Sequence, residues 1–441
     1  MGLINQAGLF SGAGLVDQAG LYNQAGLYVP GLFSPLSLNP LLAYEAESSM
    51  VAPFEQPTLD LDPSNPSSLD IITATRAGVA TYTDANGVVQ SASADTVRVD
   101  HVDGVPMILV EPAATNRFTH SEGVNNYSNL GKANCSYSVD SNPFGGFSAS
   151  CKITSNTFTS SYVRAVLQFY SVSGESNYFT FRVKKKSGWF LNAQSGNGTS
   201  PSSVILDLSG AGYISSSGTT ASSYLVKEFN DYYLVGIETL QTGTTTAGLL
   251  NLQFYNNSSL ANYDLDTVEE FFVTGIQWEN NSTVATSYIP TSGSTVTRAA
   301  DNLVISGSDF TDFFNSGGDG TFYAEAVFRQ DNNGDGQSLL YGQSLNYRFL
   351  YGWDGVMRAY DGATIASTIP TMFTVGNLTR TAVTFNSSTI GISLDGSSTS
   401  SVSHNGNLSS ANELNIGNAP NDNLNGHIKR IIYWPYHSDD L

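Results

Sequence analysis

The chain has 441 residues, of which 40% are apolar and 11% aromatic, enough for two or three ordinary domains with real cores. Only 13% are charged, and 38 acids against 18 bases leave a formal charge of −20. That balance argues against nucleic acid, because phosphate binding depends on Lys and Arg. No run of eighteen apolar residues suggests a membrane span, and no N-terminal stretch has the basic and apolar regions of a signal peptide, so a cytoplasmic product with no membrane insertion is expected.

Residues 5–28 are four hexapeptides, NQAGLF, SGAGLV, DQAGLY and NQAGLY, followed by the echo VPGLF. At about 100° per residue a six-residue period scatters the leucines round a helix, and the glycines oppose helix formation further. In an extended chain, neighbours point opposite ways, so Leu9 with Phe10, Leu15 with Val16, Leu21 with Tyr22 and Leu27 with Tyr28 make both faces apolar. Such a strand needs burial on both sides, by sister chains or in a groove of another protein. Residues 1–40 are therefore expected to dock, with Leu9, Phe10, Leu15, Leu21, Tyr22, Leu27 and Tyr28 making the contact. Pro30, Pro35, Pro40, Pro53, Pro57, Pro63 and Pro66 extend the arm to about residue 70.

From Ile71 the pattern changes to strand, turn, strand. ATYTDANGVVQSA turns at Asn86-Gly87 and VRVDHVDGVPMILVEP at Asp103-Gly104, two hairpins that together predict a neck over residues 71–114. Between 115 and 300 come short strands split by Gly, Ser, Asn and Thr, including YVRAVLQFYSV, SSVILDL, GLLNLQFY and EEFFVTGIQWE. Without helical periodicity between them, they predict a β-sandwich or jelly roll. The rhythm restarts from 301 to 441, for a second sandwich in which Tyr433 and Trp434 close the core or an interdomain contact. The fold class expected is all-β: an arm, a hairpin neck and two tandem sandwiches. Cys135 and Cys151 fit no zinc spacing and are expected as buried free thiols.

Four segments, TRAGVATYTDANGVVQSASADTVRVDH, EPAATNRFTHSEG, ATSYIPTSGSTVTRAAD and LNGHIKRIIYWPYHSDDL, resemble segments of tailed-bacteriophage virion proteins, especially head- and tail-fibre or spike subunits. The resemblance spans residues 72–441, and none of its phrases is a catalytic signature. It implies a carbohydrate-binding-like jelly roll followed by a concanavalin A-like or laminin-G-like sandwich. It also implies residence in the virion, a homotrimer, other virion proteins as partners of the arm and host cell-surface polysaccharide as ligand. The rival readings are a capsid or tail decoration that binds no glycan and a polysaccharide-degrading spike.

No catalytic motif supports an enzyme. His101, His120, His404, His427 and His437 lack paired spacing, and the neighbours Glu269-Glu270 and Asp439-Asp440 would point to opposite sides of a strand. No cofactor is expected, apart from one calcium candidate. DNNGDG places Asp331, Asn333 and Asp335 at the first ligand positions of a calcium loop, but Gly342 stands where a bidentate Glu belongs. A polar hairpin turn is the better reading, and the calcium binding common at laminin-G-like rims keeps the ion as the alternative. For sugar binding, aromatic rings beside short polar groups cluster in YRFLYGWDGVMRAYDG, which offers Tyr347, Tyr351, Trp353, Asp354, Tyr360 and Asp361, with Trp353 in a turn-like GWDG. Strict alternation would put Tyr347, Phe349, Tyr351 and Trp353 on one strand face, where core is their commoner fate. Trp189, behind the basic triplet Lys184 to Lys186, is the candidate in the first sandwich.

Overall fold

A computed structural model describes residues 56–123, 132–141, 144–170, 176–196, 202–217, 224–240, 247–280, 282–316, 318–329, 336–342, 347–368, 372–397, 400–404, 411–419 and 422–438. The docking residues expected at Leu9, Phe10, Leu15, Leu21, Tyr22, Leu27 and Tyr28 lie outside the described residues, as do Asp331, Asn333 and Asp335. The described chain is all-β, built of antiparallel sheets that form two sandwiches.

The first sandwich faces two six-stranded sheets. One runs in the order Tyr224–Glu228, Tyr232–Leu240, Ser176–Lys184, Glu270–Asn280, Ser150–Ser155, Cys135–Asp140. The other runs Gly212–Ser217, Ser202–Asp207, Phe190–Gly196, Ala247–Tyr255, Val163–Tyr170, Lys132–Ala133. Alternating residues Phe179, Phe181, Leu191, Leu252, Phe254 and Phe271 fill the space between them, and Cys135 and Cys151 are free and buried.

The second sandwich is not made from its own segment alone. Its last strand, Gly426–Trp434, pairs along one edge with Gly320–Phe328. On its other edge it meets Val105–Val110 first, with His427 opposite Leu109, and then Leu59–Leu61, with Leu61 opposite Ile431. Leu59, Leu61, Ile108 and Val110 enter the same core as Phe322, Phe349, Phe385 and Tyr433. Thr73–Thr75 likewise extends the opposite sheet beside Asn302–Ser306. The boundary expected at residue 71 and the free neck over 71–114 are therefore corrected. Hydrophobic residues on three short strands had no core of their own and joined the nearest open sheet edge. Both hairpins form, and Asp103 (φ 53) and Gly104 (φ 81) supply the left-handed turn that the second one requires.

The two sandwiches and the hairpins meet at a buried ionic cluster. Glu111, fully buried, accepts from Arg98 Nη2 at 2.9 Å, Arg329 Nη1 at 3.0 Å and the Ser287 backbone N–H at 2.6 Å. Arg298 Nη2 lies 3.4 Å from the same carboxylate. Asp301 pairs with Arg76 at 2.9 Å and with Arg98, and the Glu111 backbone N–H donates to it at 3.0 Å. Next to them, His427 Nε2 stands 2.7 Å from Asp100. Burial disfavours the Glu111 carboxylate's charge, but Arg298, Arg98 and Arg329 overcome this and hold it well below the usual carboxylate range. Asp100 is lowered in the same way, against its burial, by His427 and Arg329. Burial pushes His427 down, Arg329 adds to the push, and Asp100 only partly opposes it.

The lowered Glu111 and Asp100 favour the fold at neutral pH, and all three shifts weaken it in acid. As pH falls below 6.5, the ordinary value for histidine, the unfolded chain protonates His427 before the folded one does. Below the ordinary carboxylate values the unfolded chain also takes up protons at Glu111 and Asp100 first. Melting temperature is thus expected to decline from about pH 6.5 and more steeply below about 4.5, with His427→Gln removing the upper part of the decline. Glu111→Gln leaves buried guanidiniums uncompensated and is expected to cost about 3 kcal/mol or more in chemical unfolding at pH 7. Deleting residues 1–115 should leave the second sandwich insoluble or unfolded by circular dichroism, whereas deletion of 1–55 should not.

Candidate functional site

The candidate sugar-binding rings occupy very different environments. Trp189 is 6% exposed and sits edge-on to Phe271 (4.8 Å) and Tyr263 (5.8 Å) in the first core, so no face is open to a ligand. The preceding turn, in which the Trp189 N–H donates to the Lys186 carbonyl at 3.3 Å, leaves the ring in the core, which corrects the expectation for Trp189. Tyr351, 3% exposed, is also unavailable for stacking. A register break between Arg348 and Tyr351 interrupts the alternation. Tyr347, Phe349 and Leu350 enter the second core, while Tyr351 lies outside that core with the Arg348 guanidinium 5.2 Å from its ring centre. Trp353 is 37% exposed at the end of its strand, with Arg358 5.2 Å over its ring. Asp354 (φ 50) and Gly355 (φ 73) make the tight turn that follows, and Tyr360, half-buried, donates its hydroxyl to the Gly362 carbonyl at 2.6 Å. Trp353 and Asp354 thus remain together at the strand end, with one ring face already covered by a cation, whereas Tyr360 stands opposite Arg348 at the other end of the hairpin and is not brought to them. Among the described residues, no three His, Cys, Asp or Glu side chains group as a metal site.

A more developed polar surface lies on the first sandwich. Phe190–Gly196 and Ala247–Tyr255 are central neighbours with Asn192 opposite Gln253 and Gln194 opposite Asn251. Because Leu191, Ala193, Leu250 and Leu252 face the core, strict alternation turns these four amides to the opposite face. The flanking strands complete a grid. Ser203 stands opposite Gln194 and Ile205 opposite Asn192 on one side; Arg164 stands opposite Gln253 and Val166 opposite Asn251 on the other. One row further along, Asp207, Phe190 and Tyr255 are in register, and Tyr162 stacks on Tyr255 with ring centres 5.5 Å apart. Four strands at about 4.8 Å make this grid about 14 Å wide, and its rows are about 7 Å apart.

The hydrogen bonding of the grid is incomplete. Asn192 donates weakly to Gln253 Oε1 at 3.4 Å, which also accepts from the Tyr255 hydroxyl at 3.1 Å. Asn192 is only 9% exposed, yet its Oδ1 has no partner, and Arg164 Nε is likewise buried without one. Gln194 and Asn251 make no side-chain hydrogen bond to another described residue. A primary amide presents two donors and an acceptor. The quartet therefore offers alternating donors and acceptors, which suit the hydroxyls of a neutral polyhydroxylated ligand, while the Tyr162 and Tyr255 rings pack against the core and offer no stacking face. Reading single aromatic clusters missed it. The signal was the repeated spacing in LNAQS and LNLQF, an Asn-x-Gln in each of two apolar alternations.

No family model and no curated protein matches the chain. Among solved structures, it is similar to mouse laminin alpha1 chain domains LG4-5, at 13% identity over 62% of this chain and 85% of that one, with a TM-score of 0.22. It is similar to Trypanosoma rangeli sialidase in complex with sialic acid at 9% identity over 83% and 96%, with a TM-score of 0.24. The N-terminal CBM22-1-CBM22-2 tandem domain of Paenibacillus barcinonensis Xyn10C matches at 8% over 74% and 99%, with a TM-score of 0.24. At such scores these likenesses carry no argument about the site.

If the amides serve a ligand instead of the fold, Gln194→Ala and Asn251→Ala should each change unfolding free energy by no more than about 0.5 kcal/mol. Leu252→Ala, on the same strand but in the core, should cost about 2–5 kcal/mol in the same titration.

Proposed function

We propose that the protein is a non-catalytic glycan-binding appendage of a bacteriophage particle, with the amide face of its first sandwich as the binding surface. The observation that carries the binding reading is the quartet Asn192, Gln194, Asn251 and Gln253, set on the outer face of central strands with hydrogen-bonding capacity unused. A solvated face needs no such order, and a stabilising network would be internally paired. Trp353 and Asp354 at the strand end of the second sandwich serve as an accessory contact.

A binding rather than cleaving role is favoured by the carboxylates. Asp207 is the one acid of the grid, and its Oδ1 accepts from the Ser209 N–H at 2.7 Å. Glycoside cleavage needs two carboxyl groups about 5–10 Å apart across the scissile bond. Glu111 and Asp301, two buried carboxylates elsewhere, are held by arginines at the junction.

The particle setting rests on the sequence: the four virion-like segments, and an uncharged, apolar arm suited to burial by other chains. On this reading the arm joins residues 1–40 to other virion proteins, three chains assemble together, and the mature location is the virion. A decoration protein without glycan binding is the competing role.

Two measurements test the proposal. On a glycan array the full chain should retain at least one host polysaccharide, and Gln194→Ala with Asn251→Ala should abolish the signal while melting is unchanged; persistence of the signal would sink the assignment of this face. Deleting residues 1–40 should give a soluble protein that no longer joins particles, and normal incorporation would remove the docking role of the arm.

A further inference from the structure

The amide face carries a feature that a neutral ligand does not require. The chain has eleven arginines, all among the described residues. Seven of them, Arg76, Arg98, Arg298, Arg329, Arg348, Arg380 and Arg430, are ion-paired with a carboxylate. Three others stand over aromatic rings: Arg117 over Trp278 at 6.0 Å, Arg182 over Phe147 at 5.0 Å and Arg358 over Trp353 at 5.2 Å. Arg164 is the exception. Among the described residues it meets neither a carboxylate nor a ring, in a chain with twice as many acids as bases.

Its position gives the exception meaning. Arg164 lies at the end of the amide row, directly opposite Gln253 in register, and its Nε is removed from water without a partner. The only carboxylate of the grid, Asp207, belongs to the strand three places away, about 14 Å across the sheet. Ala133, on its other side, offers no side-chain acceptor. A half-buried guanidinium with a desolvated, unused donor is costly to leave alone, and a planar fork of donors matches a carboxylate.

We infer that the glycan bound on this face is acidic, with a sugar carboxylate seated on Arg164 while neighbouring hydroxyls meet Asn192, Gln253, Gln194 and Asn251. The inference rests on the glycan-binding reading of the same face and adds the ligand's charge and its direction. The chain of sugars runs across the strands, with its acidic unit at the Val163–Tyr170 edge of the amide rows. The negative net charge of the protein keeps non-specific acidic polymers away, so recognition depends on the local cation.

The test uses the full chain in affinity electrophoresis with polygalacturonate, alginate, hyaluronate and polysialate, each paired with its carboxyl-reduced counterpart. At least one acidic polymer should retard the wild type, and its reduced form should bind at least about tenfold more weakly. Arg164→Gln should lose about tenfold on the acidic polymer with unchanged melting temperature, and Arg164→Lys should recover part of the loss. Raising salt from 0.05 to 0.5 M should weaken the wild type but not Arg164→Gln. Equal binding of acidic and reduced polymers, or an unchanged Arg164→Gln beside an inactive Gln194→Ala, overturns the acidic ligand and leaves glycan binding standing. Retention of none of the eight polymers by the wild type overturns both.

Discussion

The Glu111 carboxylate is the constraint on which the arrangement of the molecule depends. Burying it costs several kcal/mol unless every oxygen is matched, and no single segment of the chain could match it. Its partners come from Arg98 on one hairpin, Ser287 and Arg298 on the stretch that leaves the first sandwich, and Arg329 in the second. Asp301 repeats the arrangement one step away, taking Arg76, Arg98 and the Glu111 N–H together. Because each guanidinium is shared or fully enclosed, no partner can leave without stranding another. The cluster thus specifies where the two sandwiches meet more than it adds to their separate stabilities. Hydrophobic burial on either side supplies the stability.

The strand class, the two-sandwich division and the hairpin turns follow from signals carried by neighbouring residues: alternation, and Asn-Gly or Asp-Gly where φ must be positive. The partition near residue 71 failed because pairing partners are not local. LDL at 59–61 reads as part of a proline-rich arm, yet it pairs with Ile431 to Tyr433, some 370 residues later. Nothing in three residues states that the last strand will have an open edge. Likewise VPMILV reads as half of a hairpin and is also the neighbour of GHI in the terminal strand.

The candidate site divides along the same line. Trp353 was legible because a turn sequence, Gly-Trp-Asp-Gly, keeps it at a strand end. Tyr351 was not, since a bulge changes which face a residue occupies and leaves no mark in composition. Trp189 failed for another reason: a basic triplet beside a ring suggests exposure, but the lysines pair with Glu228 and Glu269 at the rim while the indole turns into the core. The amide quartet needed two facts together. Asn-x-Gln is unremarkable in one strand, and acquires meaning only when register places Asn192 against Gln253 and Gln194 against Asn251.

The segments 75–101, 111–123, 285–301 and 424–441 contain Arg76, Arg98, Asp100, Glu111, Ser287, Arg298, Asp301 and His427, the residues of the junction apart from Arg329. None of the amide quartet, and neither Arg164 nor Trp353, belongs to them. These segments therefore hold the sandwiches together and contribute little to the outer faces. A buried ion cluster tolerates few substitutions, since changing one member strands the rest, whereas an outward grid of side chains on a finished sheet can change ligand without disturbing a core contact. The physical division of labour is then a demanding junction that holds the architecture and a permissive outer face that can be altered residue by residue without disturbing it.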